Sequence, residues 1–120
     1  MNRLNFLILL LIICSCVSKV DITNFNDEIW KEGLNGCDSK RSALINALLS
    51  EKQKLINLTQ NEVKALLGAP DEHQLYTRNQ KFFKYYIQPS PNCAKPVEGA
   101  QYLQIRFNAL GYVSEVNYSE

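Results

Sequence analysis

Leu58-Thr59-Gln60-Asn61-Glu62-Val63-Lys64-Ala65-Leu66-Leu67-Gly68-Ala69-Pro70 is the stretch from which the fold can be read. Thr59 and Glu62 stand three apart, the spacing at which each side chain satisfies the other's free backbone donor, a capping box. Leu58 before the cap and Val63 after it are placed to form a hydrophobic staple. Val63, Leu66 and Leu67 make one buried stripe. Gly68 stands where a left-handed exit is needed, and Pro70 prevents continuation. A short helix ending at Gly-Ala-Pro is predicted.

Downstream of Pro70 the apolar pattern changes to the alternation of strands. A first strand is expected over Leu75–Thr77, followed by a turn at Arg78-Asn79-Gln80. The second runs over Lys81–Ile87, with Phe83, Tyr85 and Ile87 on one face and Phe82, Lys84 and Tyr86 on the other. Pro89, Pro91 and Pro96 make residues 88–99 a loop. The third strand, Tyr102–Asn108, turns Leu103, Ile105 and Phe107 one way and Gln104 and Arg106 the other. Asn108-Ala109-Leu110-Gly111 closes a hairpin onto a last strand, Tyr112–Tyr118.

Upstream, Leu44, Ile45, Leu48, Leu49 and Leu55 form a helical stripe. They predict a helix from Ser39, as N-cap, to Leu55. Lys40, Arg41, Glu51, Lys52 and Lys54 would be its solvated face. Phe25–Gly36 is read as a short helix or turn that docks Trp30 on the core. The fold class is therefore α+β: two helices packed on one face of an antiparallel three- to four-stranded meander, a two-layer sandwich.

Arg3 followed by ten apolar-leaning residues, Leu4 to Ile13, and then Cys14-Ser15-Cys16, reads as an export signal. The run is too short for a membrane span, which needs roughly 20 apolar residues. Its end fits a bacterial lipobox, with residues 1–15 removed, Cys16 carrying an acyl lipid, and 16–24 a lipidated tether ahead of a single domain over 25–120. A plain cleaved signal remains the alternative. Val17 offers no retention acid beside the lipid site, which favours the outer membrane, facing the periplasm.

Cys14 would leave with the signal and Cys16 would hold lipid. Cys37 and Cys93 remain, and an oxidising compartment predicts a disulfide between them, with two free buried thiols as the alternative. Of the 13 basic and 12 acidic residues only Arg3 lies in 1–15, so the remaining chain is formally neutral. No basic stripe points to nucleic acid.

From Leu58 to Val116 the chain resembles the SmpA/OmlA group of small outer-membrane lipoproteins and its wider superfamily. The matching residues are Thr59-Gln60-Asn61-Glu62-Val63, Leu67-Gly68-Ala69-Pro70, Phe83-Lys84-Tyr85, Leu103 through Asn108, and Gly111-Tyr112-Val113. It departs from the group at Asn57-Leu58, where a glycine is usual, and at Trp30, Cys37 and Cys93, which have no counterpart there. The resemblance implies the α+β fold and a place near the barrel-assembly machinery. The superfamily also resembles secreted inhibitor domains.

Chemistry-bearing motifs are few. His73, beside Asp71 and Glu72, lacks a nucleophile motif, and two adjacent acids are a weak cation site. With a lone histidine and no CxxC, no metal is expected, and no cofactor. The aromatic-rich outward sheet face, Phe82, Lys84, Tyr86 and Arg106, is the candidate partner-binding surface; ordinary core packing and cross-strand pairing of these aromatics is the alternative. The expected function is a non-catalytic protein-binding or scaffold domain engaging an envelope protein. The alternative is an inhibitor-like domain that blocks an envelope or secreted hydrolase.

Overall fold

The computed structural model describes residues 20–119. The signal and Cys16 lie outside them. Three α-helices are present among the described residues: α1 (Asp27–Glu32), α2 (Ile45–Ser50) and α3 (Gln60–Leu67). Four strands follow: β1 (Glu72–Tyr76), β2 (Gln80–Tyr86), β3 (Tyr102–Phe107) and β4 (Val113–Tyr118). They form one antiparallel sheet in the order β1-β2-β3-β4.

The capping box forms as the spacing demands. Glu62 N–H donates to Thr59 Oγ1 and Thr59 N–H donates to Glu62 Oε1, both at 3.2 Å. Gly68 ends α3 with φ +79°. Such a cap is worth about 1 kcal/mol, so most of the helix's stability must come from burying Val63, Leu66 and Leu67.

These three side chains belong to one core cluster. It contains Trp30, Ile45, Leu48 and Leu55 from the N-terminal half, and Phe83, Tyr85, Leu103, Ile105, Phe107, Val113 and Val116 from the strands. Each fully buried side chain of this size contributes about 1.5–3 kcal/mol relative to exposure. Phe83 and Phe107 meet edge-on at 4.6 Å between centroids, an aromatic contact between strands separated by a long loop.

Several expectations need correction. The helix predicted over 39–55 is broken into a 3₁₀ turn (Arg41–Ala43), α2, and a second 3₁₀ turn (Lys52–Leu55). Ser39 has φ +62° and does not cap it. At the second break Glu51 leaves the helical region (φ −119°, ψ 23°). Its carboxylate accepts hydrogen bonds from the Thr23 amide (2.7 Å) and hydroxyl (2.8 Å). Arg41, expected on the solvated face, is wholly buried.

The first strand begins at Glu72 rather than Leu75, so His73 lies in an edge strand and not in a loop. Of the expected tether, residues 20–24 lie on the domain: Val20 packs against the core and Ile22 is buried within it. The predicted disulfide is present, joining Cys37 to Cys93 with Cα atoms 5.6 Å apart.

The two edges of the sheet differ. At β4 the amide of Asn57 donates to Val113 O and the amide of Val113 donates to Leu58 O, both at 2.9 Å. Thr59 bridges Tyr112 just before it. β1 lies at the other edge, with Leu75 73% exposed.

Candidate functional site

β-strand register places the four residues of the candidate face together. Phe82 pairs with Arg106, Lys84 with Glu72 and Gln104, and Tyr86 with Tyr102. Because alternate residues share a face, Phe82, Lys84, Tyr86, Tyr102, Gln104 and Arg106 form one surface. Their neighbours Phe83, Tyr85, Leu103 and Ile105 belong to the core.

That surface is tiled by its own pairings. Lys84 Nζ sits 4.1 Å above the Tyr102 ring and 5.7 Å from Tyr86, and reaches the Glu72 carboxylate at 3.4 Å. The Tyr86 hydroxyl donates to Glu72 Oε1 at 2.9 Å. Arg106 lies over Phe82 at 5.9 Å, donates to Gln80 Oε1, and approaches Glu115 at 3.7 Å. Tyr86 is only 7% exposed. Burial, then the hydrogen bond to Glu72, pushes its phenol up to about 12.

Beside Tyr86 and Tyr102 the 88–101 loop folds back to enclose a groove of about 590 Å³. Pro91, Pro96, Val97 and Ala100 form its apolar wall. The loop is held at its base. Ser90 N–H donates to Asn35 O at 3.0 Å, and Cys93 is tied to Cys37. Gly36 is required here: a Cβ would lie 2.4 Å from Gln88 O, and φ is +68°. Only glycine permits both the close approach and the left-handed backbone.

A second polar centre was missed by sequence reasoning. The Arg41 guanidinium lies over the rings of Trp30 (5.2 Å) and Tyr85 (5.6 Å), which themselves meet at 6.2 Å. Its Nε donates to Trp30 O at 3.0 Å, and Nη1 to Tyr86 O at 3.1 Å and to Asp71 Oδ2. Asp71 also accepts from the amides of Asn35 (3.0 Å) and Tyr86 (2.8 Å). The signal was its phase. Arg41 stands four before Ile45 and seven before Leu48, on the apolar stripe.

The Asp71-Glu72-His73 run is pulled apart by strand alternation and local partners. Asp71 faces Arg41, Glu72 faces Tyr86 and Lys84, and His73 is exposed with its ring edge-on to Phe83 at 5.1 Å. Among the described residues no three His, Cys, Asp or Glu side chains are grouped to hold a metal ion. No helix among them is long and apolar enough to cross a membrane. Compared with protein-family models, curated proteins and solved structures, the chain matches none.

Proposed function

We propose that this chain is a lipid-anchored envelope protein, attached through Cys16 at the outer membrane and facing the periplasm. Its domain is a two-layer sandwich with the helices on one sheet face, and it acts as a non-catalytic protein-binding or scaffold module. The layering is supported by the division of β2 and β3 between core residues and the Phe82, Lys84, Tyr86 and Arg106 surface. The export signal and the Cys14-Ser15-Cys16 boundary support the address.

The observation that carries the binding role is the aromatic and cationic outer face, continuous at Tyr86 and Tyr102 with the apolar groove under the 88–101 loop. Aromatic residues and arginine are the side chains most enriched at protein contact surfaces. Capture of the full-length protein from its own envelope by cross-linking is the test. Lys84→Ala with Arg106→Ala should weaken capture while leaving the thermal transition near wild type. Capture unaffected by the double change would remove this face from the proposal. Stoichiometric capture of a hydrolase would favour the inhibitor-like alternative.

A further inference from the structure

We propose that the domain is held against the bilayer by its β4 side, with residues 52–56 nearest the phospholipid headgroups and β1 the far edge. This placement rests on the lipidation of Cys16 proposed above. The chain is already docked at its first described residues. Val20 packs on the core and Ile22 is buried. The Asp21 carbonyl accepts from Lys54 Nζ at 3.0 Å, and Thr23 is bonded twice to Glu51.

Three residues, 17–19, separate Cys16 from Val20. Fully extended, that link spans about 14 Å from one Cα to the other. A domain of this size has a radius of gyration of about 13 Å and is therefore wider than the link is long. The position at which the chain leaves the domain then decides which side faces the lipid.

That position is beside residues 51–54, which abut β4. Lys52, Gln53 and Ile56 line a shallow groove of about 370 Å³ with Ser114, Glu115 and Asn117. Lys52 is exposed and presents a cation to headgroup phosphate. Glu115 lies in the same groove, so the surface suits polar contact with headgroups rather than insertion. Leu75 lies three strand spacings across the sheet, about 14 Å beyond β4.

The test uses full-length lipidated protein in phosphatidylethanolamine–phosphatidylglycerol vesicles carrying a headgroup-attached energy acceptor. Lys52→Cys and Leu75→Cys are labelled with a donor in separate variants. Both positions are exposed, and the Cys37–Cys93 bond is checked by mass. Donor quenching should be severalfold stronger at position 52 than at position 75, and a long Gly/Ser insertion between residues 19 and 20 should remove the difference. Equal quenching in protein that floats with the vesicles overturns the placement alone, and a difference that survives the insertion overturns the short link as its cause. Protein that does not float overturns the anchoring and the placement with it.

Discussion

Arg41 and Asp71, thirty residues apart in sequence, form an ion pair in which the side chains are 0% and 1% exposed. The pair joins the N-terminal half to the sheet. Arg41 touches Trp30 of α1 and Tyr85 and Tyr86 of β2, and Asp71 orders the turn at Asn35 and the end of β2. Two buried charges are tolerated only because each is paired and hydrogen-bonded.

Breaking the pair from one side should therefore cost more than its net worth. Asp71→Ala strands the guanidinium and frees two amides, and is expected to destabilise by about 3–5 kcal/mol. Arg41→Met with Asp71→Ala should cost less than the two single changes together. Denaturant titration of the four proteins decides the matter, and additive losses would show that the two residues act separately.

The Cys37–Cys93 bond closes a loop with a sequence separation of 56. A crosslink of that span is expected to contribute about 4 kcal/mol through the unfolded chain. Reductant should lower the denaturant midpoint accordingly. Amide exchange should rise first in residues 88–99, where the crosslinked loop is otherwise held by a few backbone hydrogen bonds. Unchanged exchange in that loop would show that these bonds suffice to hold it.

Gly36→Ala tests the same junction without removing sulfur. The new Cβ would collide with Gln88 O in a left-handed backbone, so a loss of more than about 1 kcal/mol is expected. Separation of Cys37 from Cys93 should also appear as alkylatable thiol after oxidative refolding. Full disulfide yield and wild-type stability would contradict the assigned close approach.

Alkaline pH should weaken the fold in a defined direction. The Tyr86 phenol is held up to about 12, first by burial and then by its hydrogen bond to Glu72, and burial also raises Tyr85. Above about 10 the unfolded tyrosines lose their protons while these two keep theirs, so stability falls from there upward. Phenolate absorbance should show two late-titrating tyrosines in the native protein, and Tyr86→Phe should remove one. A native titration with every tyrosine near its ordinary value would refute this.

Much of the local grammar was legible, and of the long-range geometry the Cys37–Cys93 bond was, whereas the Ser39 cap failed. The α3 cap, the Gly68 exit and the strand alternation around Phe83 and Leu103 depend on near neighbours, and each stands where its pattern places it. The Glu51 contact with Thr23 was hidden because the two residues lie 28 positions apart. Burial of Arg41 needed partners from Trp30, Asp71 and Tyr86, none of them local. The Phe82, Lys84, Tyr86 and Arg106 surface could be assembled from alternation, but the ion pairs and ring contacts that tile it required the strand register.

The unequal sheet edges limit how copies of this protein can associate. A strand arriving at β4 must displace the segment that already bonds Val113, whereas one arriving at β1 displaces nothing among the described residues. Once two copies meet β1 to β1, each has its β4 side left, where the backbone of Val113 is already bonded. Edge-to-edge pairing is thus easier at β1 than at β4, which biases association toward a two-fold pair over a filament.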